Sequence, residues 1–76
     1  MGRTMIEWDE VKSSNIAAVG YDKDELRYVY IRFLNGSVYR YDGVSDEHYE
    51  GMMHAESIGR YFNEHIKGAY PYEKIE

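Results

Sequence analysis

The sequence predicts an α+β domain: a three-stranded antiparallel β-meander followed by two short α-helices packed on one face. Three observations carry that expectation. "ELRYVYIRFL" is rich in β-branched and aromatic residues and holds neither glycine nor proline, as a strand should. Asn35-Gly36 separates it from "SVYRY", the pattern of a β-hairpin. Beyond Asp42-Gly43 the apolar residues recur at helical spacing, so helices follow strands along the chain.

The elements follow in order. "SSNIAAVGYD" carries Ile16, Val19 and Tyr21 toward Asp22-Lys23-Asp24-Glu25, which predicts a strand over 15–21 and then a solvated, charged turn. In the second strand Val29, Ile31 and Phe33 form the core face, and Tyr28, Tyr30 and Arg32 the other. Ser45 is a good helix N-cap, with Asp46 and Glu47 where negative charge favours a helix start. "SDEHYEGMMHA" then sets Tyr49, Met52 and Met53 on an apolar stripe. Ser57 caps a second helix, "IGRYFNEHIKG", in which Ile58, Tyr61, Phe62, His65 and Ile66 share one face. Gly68 ends it, and "AYPYEKIE" is extended.

The hairpin register decides where the aromatic residues go. A two-residue Asn35-Gly36 turn would pair Phe33 with Val38 and place Arg40 in the core. A three-residue loop, Leu34-Asn35-Gly36, with Gly36 left-handed as a bulge, pairs Phe33 with Ser37, Ile31 with Tyr39 and Val29 with Tyr41. Arg40 then lies outside, opposite Tyr30, and Arg32 lies opposite Val38. Burying an unpaired arginine costs far more than exposing a valine, so the bulged register is expected. Tyr39 and Tyr41 become chiefly core residues. Tyr28, Tyr30, Arg32 and Arg40 share the open face, where arginine could neutralise a phosphate and tyrosine stack a base, or the two could simply support each other by cation–π contact.

Composition narrows the function classes. At 76 residues the chain forms one small domain, burying only about 60% of its unfolded surface. There is no cysteine, which removes disulfides and thiolate chemistry and suits a reducing compartment. No apolar run approaches a membrane span or a signal peptide, so the expected location is cytoplasmic, without membrane contact. The formal charge is −5, from 14 acidic and 9 basic residues, which does not suit a generic duplex-DNA binder. Nine tyrosines suit either a binding surface or a small core whose edges touch water.

No catalytic constellation is legible. His48, His54 and His65 fit no metal-ligand spacing, and neither a P-loop nor a dinucleotide fingerprint occurs. No enzyme activity, metal or cofactor is therefore expected. Ser13, Ser14 and Asn15 are read as turn or capping residues. "SIGRYFN" is the best local site: Ser57 opens a helix, Arg60 lies in its first turn, and Asn63 adds an amide. A plain capped helix, with Gly59 permitting close packing and Tyr61 and Phe62 in the core, explains the same residues.

Taken together, "VKSSNIAAVGYD", "GSVYRYDGV" and "AESIGRYFNEHIKGAYPYE" resemble the KTSC domain, a small bacterial and phage domain named for the C-terminus of some lysyl-tRNA synthetases and also found free-standing. The most recognisable elements are Tyr39-Arg40-Tyr41 and Ser57-x-Gly59-x-Tyr61-Phe62-Asn63. The resemblance divides the chain into an extension at 1–10, the domain at 11–73 and a tail at 74–76. It implies RNA binding, a role suggested for the family, through Tyr39, Arg40, Tyr41 and the segment from Ser57 to Asn63, which includes Tyr61.

Two functions are therefore expected as alternatives. The first is a non-enzymatic binding module for RNA or a nucleotide-like ligand, with Arg40 and Arg60 on phosphate and nearby tyrosines, Tyr30 among them, on the base. The second is a protein-interaction or self-assembly module, a homo-oligomer whose protomer interface forms the ligand pocket.

Overall fold

The computed structural model describes residues 6–22 and 27–76. Five strands form one antiparallel sheet in chain order: β1 (Glu7–Glu10), β2 (Ile16–Asp22), β3 (Tyr28–Phe33), β4 (Val38–Tyr41) and β5 (Tyr72–Lys74). Helix α1 (Asp46–Met53), helix α2 (Ile58–Tyr61) and a π turn (Phe62–Ile66) stand between β4 and β5. The α+β class and the antiparallel sheet with two helices are as expected, but the sheet has five strands and not three. β1 escapes notice because "EWDE" is exposed along its length and lacks apolar alternation. β5 is a short, exposed edge strand behind Pro71. Of the charged turn expected at Asp22-Lys23-Asp24-Glu25, Asp22 closes β2 and residues 23–25 lie outside the described residues.

The β3–β4 hairpin has the bulged register. Val29 pairs with Tyr41, Tyr30 with Arg40, Ile31 with Tyr39 and Arg32 with Val38. Phe33 N–H donates to Ser37 O at 2.8 Å, and Gly36 N–H to Phe33 O at 2.9 Å, closing the loop. Gly36 has φ +94°, a conformation that glycine adopts without steric cost. Asn35 Oδ1 accepts from Ser37 N–H at 2.9 Å and fixes the tip.

One sheet face carries the core. Ile16, Val19, Val29, Ile31 and Tyr41 pack there with Val44, Met52, Phe62 and Ile66 from the helical side. Ser45 Oγ accepts from His48 N–H at 3.2 Å, and Ser57 Oγ from Arg60 N–H at 3.2 Å, so both expected caps form. The second helix, however, changes character after one turn. Lys67 N–H donates to Phe62 O at 2.8 Å, an i to i+5 bond that inserts a residue. Phe62 and Ile66 still reach the core, but His65, expected on the same stripe, is exposed.

Val38, expected to be exposed, is only 5% exposed. The C-terminal residues run beside it: Val38 N–H donates to Glu76 O at 2.9 Å, and Ile75 N–H to Val38 O at 2.7 Å. Gly59 is buried against the turn before β2, where a Cβ would stand 2.5 Å from Asn15 Oδ1. That turn is held by Ser13 Oγ, which accepts from Ile16 N–H at 3.2 Å.

Candidate functional site

The expected site residues fall in three separate places. Tyr30, Arg32 and Arg40 lie on the face opposite the helices. There the register aligns Trp8, Gly20, Tyr30, Arg40 and Glu73 across all five strands. A Cβ at Gly20 would stand 3.1 Å from the Trp8 ring, so glycine lets the indole lie down across β2. The Arg32 guanidinium sits 4.7 Å above Trp8, and that of Arg40 sits 4.3 Å above Tyr28. Arg40 also meets Asp42 at 3.0 Å and Glu73 at 3.1 Å. Its charge is neutralised within the sheet, and it covers Tyr28, while Tyr30 packs edge-on against Tyr28 and tilted against Trp8.

Ser57, Arg60 and Tyr61 form the second place. Arg60 Nε donates to Glu64 Oε2 at 3.1 Å, and Glu56 and Glu64 both line the hollow beside it. Ser57 Oγ already serves as the cap. The Tyr61 hydroxyl packs against Gly51, where a Cβ would collide with it. The helix itself is one turn long. Carboxylates flank the position where an anion would sit.

Tyr39, Tyr41 and Asn63 form the third place, an open cleft of about 430 Å³ between the hairpin tip, β5 and the π turn. That volume falls in the range of small-ligand sites, about 300–1,000 Å³. Five aromatic rings contribute to its walls: Tyr39, Tyr41, Phe33, Phe62 and Tyr72. They meet one another edge-on or tilted, with centroids 5.2 Å apart for Tyr41–Phe62 and 5.9 Å for Tyr39–Tyr72. Phe33 bridges Tyr39 and Phe62 at 5.7 and 5.8 Å. Burial, reinforced by the neighbouring Tyr72 and Tyr39, pushes the Tyr41 phenol up to about 12, so it stays a neutral hydrogen-bonding group.

Polar groups stand between these rings. Asn15, Asn35, Ser37, Asn63 and Lys67 complete the lining. The Asn15 and Asn35 side-chain oxygens are engaged, by Ser13 Oγ–H at 3.0 Å and by Ser37 N–H at 2.9 Å. Their NH₂ groups remain as donors. Lys67 has no ion pair among the described residues, and Lys74 shares its cross-strand position with Tyr39.

Sequence reasoning named three of these lining residues and missed seven. Turn chemistry accounts for Asn15 and Asn35, the core accounts for Phe33 and Phe62, and Tyr72 lies in the segment expected to be extended. The π turn, which presents Phe62, Asn63 and Lys67 to one space, leaves no signature in the apolar spacing. Such turns recur at functional sites.

The KTSC domain profile matches residues 12–70 of this chain. The chain belongs to the KTSC domain family. A crystal structure of a KTSC domain protein from Yersinia pestis superimposes with a TM-score of 0.86 at 37% identity, covering 95% of this chain and all of that one. A protein of Stutzerimonas stutzeri is 33% identical over 67 residues, 87% of this chain and 93% of that protein. Another, from Tsukamurella paurometabola, is 40% identical over 57 residues, 75% of this chain and 84% of its own. KTSC signature residues thus reach both sheet faces: Tyr39 and Tyr41 enter the cleft, whereas Arg40 between them points away. Gly59 positions the Asn15 turn on the cleft's rim.

No three His, Asp or Glu residues among the described residues are placed to hold a metal ion. No helix among them is long and apolar enough to cross a membrane.

Proposed function

We propose that this KTSC domain is a non-enzymatic binding module, acting in the cytoplasm, for a base-bearing ligand: RNA or a nucleotide-like molecule. The observation that carries the proposal is the cleft, where aromatic walls, amide donors and one lysine converge in a space of about 430 Å³. Aromatic rings stack any base, with about 1–3 kcal/mol lost per base when the ring is removed. Amides on the rim meet the acceptors on a base edge. Lys67 meets a phosphate. In this assignment Tyr39, Tyr41 and Asn63 keep the ligand role expected of them, and Lys67 takes the one expected of Arg40 and Arg60.

Equilibrium binding of a fluorescent single-stranded RNA octamer to variants tests the assignment. Tyr39→Ala and Asn63→Ala are expected to weaken binding about tenfold or more, consistent with stacking and hydrogen-bond losses. Asn63 is exposed, so Asn63→Ala should keep the wild-type melting temperature. Full binding by both variants removes the cleft as the site.

Self-assembly is a second reading with its own observation. Leu34 and Tyr72, each 61% exposed, flank the cleft, and Ile75, which follows the edge strand β5, is 44% exposed. A second copy docked there would bury these residues and wall the cleft. Light scattering across a concentration series tests it, and a monomer at every concentration rejects it.

A further inference from the structure

We infer that the cleft takes a single nucleoside monophosphate unit, free or at the end of a strand, and that among the described residues no arginine track for a continuing nucleic-acid backbone leads from it. The inference rests on the base-binding reading above and adds the size and charge of the ligand.

The arginine inventory carries it. A protein that follows a nucleic-acid backbone needs unpaired cations spaced along the path, because each neutralised phosphate releases counterions. Four arginines lie among the described residues, and each is already engaged. Arg27 meets Asp46 at 3.2 Å, Arg40 meets Asp42 and Glu73, and Arg60 meets Glu64. Arg32 is stacked on Trp8, on the face away from the cleft. Recruiting any of the three paired arginines would leave its carboxylate facing the incoming phosphate.

The cleft itself offers one positive group in its lining, Lys67, with Lys74 on the same sheet face. Its volume of about 430 Å³ accommodates one base with its sugar and phosphate, and its neutral remainder suits nothing more highly charged. Beyond the rim the chain's net charge of −5 repels further phosphates.

The test measures affinity by calorimetry for four probe sets: the four 5′-nucleoside monophosphates, the matching nucleosides, an RNA octamer with a 5′-phosphate, and the same octamer without one. Each is measured between about 50 and 300 mM NaCl, a roughly sixfold range. At least one monophosphate is expected to bind, about tenfold tighter than its nucleoside, consistent with one charge-assisted contact. It should displace the octamer fully, and the logarithmic salt slope should be no steeper than about −1, against about −0.7 per phosphate for a bound strand. Lys67→Ala should abolish the advantage of monophosphate over nucleoside and leave nucleoside affinity unchanged. Tighter binding of the 5′-phosphorylated octamer points to a strand end as the source, and equal octamers outcompeted by the free nucleotide point to a free ligand; both support the inference. Octamer binding with a slope of about −3 or steeper, undisplaced by any monophosphate, overturns the single-unit footprint while leaving base recognition standing. If no probe binds, both the footprint and the base-binding reading fall.

Discussion

Arg40 Nη2 lies 3.1 Å from Glu73 Oε1, tying the residue between the two signature tyrosines to the last strand of the sheet. The same guanidinium meets Asp42 and covers Tyr28. Arg40 therefore holds β3, β4 and β5 together on the face opposite the cleft. In a domain this small such a clamp matters, because an edge strand as short as β5 has few other attachments.

Arg40→Ala should consequently lower stability and leave ligand binding intact. Losing two partly exposed ion pairs and a cation–π contact costs about 1–2 kcal/mol in sum. For a domain of this length that is a fall of roughly 4–16 °C in Tm. Calorimetry and a binding isotherm on the same variant check both halves. An unchanged Tm with lost binding would return Arg40 to the ligand site.

Gly59→Ala should damage fold and cleft together. Its new methyl would stand 2.5 Å from Asn15 Oδ1 and 3.2 Å from Ser13 Oγ, in a turn fixed by its own hydrogen bonds. Overpacking of this kind costs about 1–3 kcal/mol. Displacing Asn15 also removes an amide donor from the rim, so base affinity should fall with stability in denaturant-melt and binding measurements.

Gly36→Ala isolates a purely local effect. Nothing lies within 4 Å of the added Cβ, but φ is +94°, so the cost is backbone strain of about 1–2 kcal/mol. A urea melt should show a lower midpoint with an unchanged slope.

Two tyrosines should couple alkaline pH to unfolding. Burial, together with the hydrogen bond to Asp46, pushes Tyr21 up to about 12, and burial pushes Tyr41 up to about 12. Both values stand above the ordinary 10.0, so the folded state favours the neutral phenols. Their contribution to stability is complete below about pH 10 and is lost as pH rises toward about 12. Absorbance at 295 nm, the phenolate band, should show exposed tyrosines ionising first and these two only with loss of circular dichroism. A single unperturbed ionisation step in a still-folded protein would contradict the burial.

The central hairpin was legible in the sequence because one energetic asymmetry decides it. Placing Arg40 in the core is so unfavourable that the bulge at Gly36 follows, and with it every cross-strand pair from Val29 to Arg32. The helix caps at Ser45 and Ser57 were legible for a similar reason, since each is a local hydrogen bond encoded by one side chain. The edge strands were not. Glu7–Glu10 and Tyr72–Lys74 acquire their conformation from neighbours in the sheet, and their own residues carry no strand pattern. The cleft was half legible. Tyr39, Tyr41 and Asn63 were named, but as companions of Arg40 and Arg60, which the fold directs elsewhere. What gathers them with Lys67 is a π turn, an i to i+5 bond set by tertiary packing and invisible to an i, i+3, i+4 count.

The most direct test is a map of ¹⁵N–¹H chemical shifts during titration with 5′-nucleoside monophosphates. The cleft account predicts saturable shifts concentrated at Asn15, Asn35, Ser37, Asn63 and Lys67, with Tyr28, Tyr30 and Arg32 unmoved. Shifts concentrated on that opposite face, or a spectrum unaltered at millimolar ligand, would contradict it.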